Sequence, residues 1–563
     1  MTVVAIYLFL NFLLFVPLYF FNKETSTFFP KNQIFRQKNW RLGLMAVVSR
    51  MNKDIFRLNL EYTIVILILS IFKDYINFKY VAVPFQVYYI FTLTVFYYHY
   101  SIYTIYNTFP AIVSDFHLIK QGLKIAWAGY KKQLLLGISF FIILLFFTIR
   151  LNVLMLEQIE NTNIILLKIL APIIILIPFR HLLFRNLNYI YFQTSDIDHY
   201  SGMQIQSLIF LISSNVFFSK KTKSEIGLIP KIYNKSEFIV SSDQTLKKKP
   251  NIYFIAIESY GAILYENEVY KKPYSELLEA MHQRIQNDQW HSASFLSNSP
   301  VSGGGSWMAF FSVLKGIEIK TDSLYRKLVQ LRDQYQVQSI FTVLKKLHYN
   351  TFLVTGIGGF ENFKVPWKEI LEFADVQDLV INKDLNYTGP LFTLESAPDQ
   401  YFLNRSIQIM KTKSQDNPFA FFVETLNSHY DFYSPTVLLD KWEDCNTTSL
   451  QDYEPTDPKS NNKENYFEAI KYQLKTIENL ILNEPLDTIF VIFGDHQPPM
   501  ITTDDNSFKT PVHIISKNKD FMALWHQKKF SSNLVIDIEQ TPSIEHHEIK
   551  NLFLKYFLKV YSV

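Results

Sequence analysis

Apolar positions are distributed along this chain in two different ways. Before about residue 200 they form long unbroken runs, such as Thr63–Phe72, whereas beyond residue 250 they come in short bursts separated by mixed stretches. A helix needs roughly 20 mostly apolar residues to cross a bilayer. By that measure the predicted spans are Val3–Phe21, the short stretch Tyr62–Phe72, Tyr80–Tyr106, Leu134–Thr148 and Ile164–Leu183. The first has neither a basic leading region nor a small-residue cleavage site before Asn22, which argues against a removable signal peptide. Ile205–Phe218 reads either as a sixth span or as an amphipathic helix lying on the membrane. The polar, Lys-rich stretch Ser219–Pro250 reads as a linker. The pattern thus predicts a multi-span transmembrane domain over 1–200 with about five helices, a membrane-proximal helix and linker over 201–250, and a globular domain over 251–563.

Orientation does not follow from charge. The loop Lys23–Arg57 carries eight Lys or Arg residues, which the positive-inside rule places in the cytoplasm. The loop Asn107–Lys132 is basic as well. Five spans would then leave the globular part inside the cell, while six or four would put it outside.

In the globular part, the segments NIYFIAIE, NTFLVTG, FAFFVET, DTIFVIFGDH and PVHIIS each have the short, continuous, aromatic and β-branched texture of a buried strand. Amphipathic stretches such as Ser323–Leu347 and Glu464–Leu482 lie between them. This alternation predicts an α/β fold, a mostly parallel sheet covered by helices on both faces. Ligands in such sheets collect beyond the carboxyl ends of the strands.

Three strand ends carry chemistry. The first strand runs into Glu258, DTIFVIF runs into Gly494, Asp495 and His496, and FAFFVE leads through Thr425 to His429. Two carboxylates and an imidazole at one sheet edge suit a divalent cation. A fourth element places Gly303, Gly304 and Gly305 before Ser306, followed by the helical pattern Trp307, Phe310, Phe311, Leu314 up to Gly316. Glycines permit close backbone approach to a phosphate, and a helix N-terminus offers free N–H groups. Ser306 there reads either as a nucleophile facing a phosphoryl centre or as an ordinary N-cap.

Composition narrows the classes. The net charge is only +4 and no basic stripe with interleaved aromatics occurs, so a nucleic-acid partner is not indicated. The single cysteine, Cys445, excludes a cysteine zinc site and an intrachain disulfide. His546 and His547 fall in a C-terminal amphipathic pattern and read as a solvated helix face rather than a second metal site. Asp444–Lys463, rich in Asn, Thr, Asp and Pro, reads as a surface loop.

The order strand–Glu258, Gly loop–Ser306, His429, strand–Gly494-Asp495-His496 resembles the sulfatase-like branch of the alkaline phosphatase superfamily. More narrowly, it is similar to the membrane phosphotransferases that include lipoteichoic acid synthases and phosphoglycerol transferases. The resemblance covers roughly Asn251–Lys517. It implies that Glu258, Ser306, Asp495 and His496 hold one divalent cation, manganese, zinc or magnesium. Ser306 would attack a membrane phospholipid donor, release diacylglycerol and pass the phosphoglycerol-type group to an envelope glycan acceptor. His429 would act at the substrate phosphate. The resemblance further implies a multi-pass protein of the bacterial inner (cytoplasmic) membrane, its catalytic domain facing the periplasm or cell exterior.

Three departures qualify the subfamily. Relatives of the transferase type usually carry threonine where Ser306 stands. The segment GGFENFKVPW has no arginine to grip a head group, leaving Asn362 and Lys364 as substitutes. Trp307, Met308, Ala309 and Phe310 after Ser306 lack the Pro and Arg that sulfatases need to mature their nucleophile. Phosphoethanolamine transfer and a sulfatase-like phosphodiesterase are the alternative activities, and a degenerate membrane scaffold is the non-enzymatic one.

Overall fold

The structure is a computed structural model. It describes residues 2–17, 58–106, 131–161, 205–206, 208–227 and 244–563, together with a few isolated positions. Within the last range, 335–336, 358–366, 416, 458–461, 486, 500 and 502–507 are outside the description. The described chain divides into two compact units, one ending at Lys221 and the other beginning at Thr222.

The first unit is helical. Its helices are α1 (Thr2–Leu14), α2 (Leu60–Ile71), α3 (Phe78–Tyr106), α4 (Lys131–Asn161) and α5 (Leu208–Gly227). Two stretches, Phe78–Ile102 and Leu134–Asn161, are long and apolar enough to cross a membrane, whereas α1 and α2 are shorter apolar helices. The span predicted at Ile164–Leu183 lies outside the described residues. Helix α5 corrects the linker boundary: it runs through Ser219 and its lysines to Gly227, so the linker begins later than the polar composition suggested. Asn59 caps α2, its side chain accepting from the Tyr62 N–H.

The second unit is built on one eight-stranded sheet. Its strands are β1 (Asn251–Ile257), β2 (His291–Asn298), β3 (Asn350–Thr355), β4 (Asp378–Ile381), β5 (Phe419–Glu424), β6 (Thr488–Gly494), β7 (Lys509–Ser516) and β8 (Ile544–Glu545). The spatial order is β8-β2-β7-β6-β1-β5-β3-β4. Only β7 runs against its neighbours, antiparallel to β2 and β6; every other pairing is parallel. The sheet is therefore mixed but mostly parallel, as predicted.

Burial on both faces explains the continuous apolar strands. In β1, Ile252, Phe254 and Ala256 enter one core, while Tyr253, Ile255 and Ile257 enter the other. Burying each of the larger side chains is worth about 1.5–3 kcal/mol. One face is covered by α6 (Glu268–Asn287), α8 (Asp399–Lys413) and α9 (Asn462–Leu482). The other is covered by α7 (Ser306–Lys315), α10 (Glu548–Tyr561) and shorter helices. The amphipathic pattern over Ser323–Leu347 is two of these, Asp322–Gln330 and Ile340–Lys346, rather than one helix.

The described start of the stretch Asp444–Lys463, residues 444–457, is more ordered than a surface loop. The short 3-10 turns Trp442–Asn446, which runs into it, and Leu450–Tyr453 bury Cys445 and Tyr453 in the core that α8 also lines.

Candidate active site at the carboxyl edge of the sheet

Strand direction concentrates the chemistry. β1, β5, β6 and β2 all point the same way, so Glu258, Glu424, Asp495 and the loop leaving Asn298 emerge at one edge. The register fixes this: Ala256 pairs with Glu424, and Ile257 pairs with Gly494, one residue before Asp495. The Asp495 N–H donates to the Ile257 carbonyl at 3.3 Å and Thr425 N–H donates to the Ala256 carbonyl at 2.9 Å, extending both pairings into the site.

Gly494 is where the chain needs a glycine. A Cβ there would stand 1.9 Å from the Tyr260 carbonyl oxygen, so no larger residue lets β6 turn under the β1 exit. Ser259 holds a left-handed backbone at φ 58°, the kind of strain that persists where surrounding bonds enforce it. Those bonds are visible. The Ser259 N–H donates to Asp495 Oδ1 at 2.8 Å, and its hydroxyl donates to Glu258 Oε1 at 2.8 Å.

The glycine loop is left-handed throughout, with φ of 70° at Gly303, 147° at Gly304 and 84° at Gly305. Gly303 N–H donates to the Gln497 carbonyl at 3.1 Å, which ties the loop to the turn after His496. Gly305 then caps α7 without a side-chain hydrogen bond, leaving Ser306 as the first helical residue. Ser306 is thus not the N-cap, and its hydroxyl is turned to the strand ends. Ser306 Oγ donates to Glu258 Oε2 at 3.3 Å and lies 3.2 Å from His496 Nε2.

His496 Nδ1 lies 2.8 Å from the Gln497 carbonyl, an oxygen that can only accept, so Nδ1 carries a proton. That leaves Nε2 facing Glu258 Oε1 at 3.6 Å and Asp495 Oδ2 at 3.2 Å. Glu258, Asp495 and His496 are all buried and offer ligand atoms within 4.8 Å of one another. Asp495 Oδ2 is buried and has no hydrogen-bond partner. An orphaned carboxylate oxygen, a second carboxylate and an inward imidazole nitrogen fit a divalent cation.

The electrostatics show the same excess of negative charge. Burial, reinforced by the Glu258 charge, pushes the Asp495 carboxyl up. Burial alone would lower His496, but the Asp495 and Glu258 charges outweigh it and raise the imidazole. Burial likewise works to raise Glu258, yet the His496 and His429 charges bring it down. His429 therefore stands within electrostatic reach of the cluster, half-buried at its rim. Its loop is held from below by Asp399, whose carboxylate accepts from the Leu426 N–H at 3.0 Å and the Asn427 N–H at 2.7 Å.

The structure thus brings Glu258, Ser306, Asp495 and His496 together, with His429 nearby. Asn362 and Lys364 lie outside the described residues. Glu424 was missed by sequence reasoning although the signal was present, since it ends a strand as a carboxylate just as Glu258 follows one. Burial, followed by the Glu258 and Asp495 charges, holds its carboxyl well above the usual carboxylate range.

His546 corrects the reading of a solvated helix face. It precedes α10 and is buried, with Nδ1 2.8 Å from Ser297 Oγ and Nε2 3.1 Å from the Gly494 carbonyl. Both nitrogens are committed, so His546 braces β2 against the end of β6. His547 is half-exposed beside Glu318 and Glu545, of which Glu318 already pairs with Lys320 and Glu545 with Asn298.

Comparison with known proteins bears on this domain. A family model described as Sulfatase matches residues 250–529. No curated protein matches the chain. Among solved structures, the lipoteichoic acid synthase LtaP from Listeria monocytogenes is 17% identical with a TM-score of 0.35, covering 50% of this chain and 70% of that one. The phosphoethanolamine transferase EptA from Neisseria meningitidis, an integral membrane protein, is 11% identical with a TM-score of 0.45, covering 98% and 95%. The phosphoglycerol transferase GacH from Streptococcus pyogenes is 12% identical with a TM-score of 0.34, covering 61% and 93%. The matched residues hold Glu258, Ser306, Asp495 and His496 in the order and at the sheet edge described above, so residues 250–529 form a domain of the sulfatase family.

Proposed function

We propose that this chain is a membrane-anchored, metal-dependent phosphotransferase that moves a phosphoglycerol-type head group from a phospholipid to an envelope glycan through phosphorylated Ser306. The observation that carries the reading is the position of Ser306, first residue of α7, with its hydroxyl 3.3 Å from Glu258 and 3.2 Å from His496.

In this reading Glu258, Asp495, His496 and Ser306 hold one divalent cation, which when bound acidifies the serine hydroxyl and offsets charge on the phosphoryl oxygens. The backbone of Gly303–Gly305 and the first N–H groups of α7 receive those oxygens. Ser306 gives up its hydroxyl proton as Oγ bonds to phosphorus and the bond from phosphorus to the diacylglycerol oxygen breaks, and that oxygen takes up a proton. His429, at the rim, is the proton donor or the contact to the substrate phosphate. A glycan hydroxyl then attacks the phosphoserine, gives up its proton and restores Ser306. Asn362 and Lys364 are proposed to contact the head group.

The two long apolar helices support the membrane anchorage. Placement of the catalytic unit outside the cytoplasm, in a multi-pass protein of the bacterial inner membrane, follows from where lipid donors and glycan acceptors meet.

The test is release of diacylglycerol by the full-length protein in detergent with manganese, given phosphatidylglycerol or phosphatidylethanolamine. Release from phosphatidylglycerol that vanishes in Ser306→Ala supports the reading. Preference for phosphatidylethanolamine reassigns the head group, and no release from either lipid overturns the donor class.

A further inference from the structure

His429 sits on a tight turn that leaves β5, and one buried carboxylate shapes that turn. Asp399 opens α8, where an acidic residue ordinarily serves the N–H groups of its own first turn. Its carboxylate turns to the β5 exit instead. It accepts from the Leu426 N–H at 3.0 Å and the Asn427 N–H at 2.7 Å, with the Gln473 side-chain amide of α9 as a third donor. Asn427 answers with its side-chain oxygen, which accepts from the Asp399 N–H at 2.7 Å. Asp399 and Asn427 are both fully buried, where a carboxylate is costly unless such donors satisfy it. The turn closes with the His429 N–H donating to the Leu426 carbonyl at 3.0 Å.

The same turn grips Glu258. Thr425 Oγ1 accepts from the Glu258 N–H at 3.3 Å, and the Ser428 hydroxyl donates to the Glu258 carbonyl at 2.6 Å. Both hydroxyls belong to buried residues. The backbone of Glu258, whose carboxylate meets Ser306, and the backbone of His429 are therefore parts of one hydrogen-bonded assembly with Asp399. We propose that Asp399 is a positioning residue for the reaction, setting His429 relative to Glu258 through the turn 425–429, with Ser428 as the arm that reaches Glu258. This rests on the phosphotransferase reading above, in which both side chains serve the same phosphoryl group. A misplacement of about 1 Å in such a group costs on the order of 10²-fold in rate.

The experiment is a double-mutant cycle on the full-length protein in detergent with manganese. It reads kcat and KM for diacylglycerol release from phosphatidylglycerol or phosphatidylethanolamine, whichever the wild type cleaves. Asp399→Asn keeps the shape but turns an amide donor towards the N–H groups of the turn. The expected result is kcat lowered about 10²-fold with KM changed less than about threefold. Added to His429→Ala, the same substitution should cost no more than about a further threefold, because the group it positions is already gone. An equal loss in both backgrounds would show that Asp399 acts on the fold at large and would overturn the proposal. So would a kcat within about twofold of wild type in either Asp399→Asn or His429→Ala. Should Asp399→Asn fail to fold, Ser428→Ala decides: a loss of about tenfold that disappears in the His429→Ala background supports the arm, and an additive or absent loss overturns it. These outcomes sink this inference alone, whereas a wild type that releases diacylglycerol from neither lipid sinks the phosphotransferase reading with it.

Discussion

The Ser306 hydroxyl lies 3.2 Å from His496 Nε2, so the first side chain of α7 meets an imidazole nitrogen that emerges from the opposite part of the sequence. That approach requires the left-handed glycine loop to deliver α7 across the ends of β1 and β6. It also separates Ser306 from an ordinary helix cap, whose hydroxyl would turn back to its own backbone.

Removing the hydroxyl should therefore remove turnover and little else. Ser306→Ala is expected to lower diacylglycerol release by about 10³-fold or more, with the melting midpoint unchanged. Ser306→Thr keeps the nucleophile and should retain measurable activity. Near-wild-type release from the alanine variant would mean that the nucleophile lies elsewhere.

Gly494 is predicted to tolerate no side chain. Gly494→Ala puts a methyl 1.9 Å from a backbone oxygen of Tyr260, and backbone cannot rotate away as a side chain would. The expected cost is about 3 kcal/mol or more in stability, with loss of manganese binding because Asp495 is displaced. A variant that melts and binds manganese like the wild type would refute the account of this turn.

His546 should act as a brace. His546→Ala frees the Gly494 carbonyl and the Ser297 hydroxyl in a buried setting, at a cost of about 3 kcal/mol. Comparison of melting midpoints checks this. An unchanged midpoint would return His546 to the solvated role that its sequence suggested.

Acid should weaken the second unit. His513 and His546 are buried as neutral imidazoles, and burial takes each down to about 3. Their unfolded value is near 6.5, so below that pH the unfolded chain binds protons that the folded chain refuses. The stability is complete above about pH 6.5 and is lost as pH falls towards 3, by about 2 kcal/mol per histidine at pH 5. Melting midpoints measured from pH 7 to pH 5 should fall, and His513→Gln should flatten the slope. A midpoint independent of pH over that range would contradict the neutral assignment.

Much of this arrangement was legible in the residues. The strands β1, β3, β5, β6 and β7 announced themselves because strands buried on both faces must be continuously apolar. β2 did not. Its sequence HSASFLSN is half polar, and its buried serines are satisfied by partners far along the chain, such as His513 for Ser294 and His546 for Ser297. For the same reason His546 was misread, since a histidine's burial depends on which acceptors the fold brings to it. Glu424 was passed over because an acidic strand end has no meaning until register sets it against Glu258. The helical boundary at Gly227 escaped because lysines are good helix formers as well as linker residues.

The most direct test of the central claim is peptide mass analysis of the full-length protein, quenched in acid after incubation with manganese and phosphatidylglycerol. The account predicts a phosphoglycerol adduct on the peptide containing Ser306, absent from Ser306→Ala. An adduct mapping to another residue, or lipid consumed with Ser306 unmodified in a rapid quench, would contradict it.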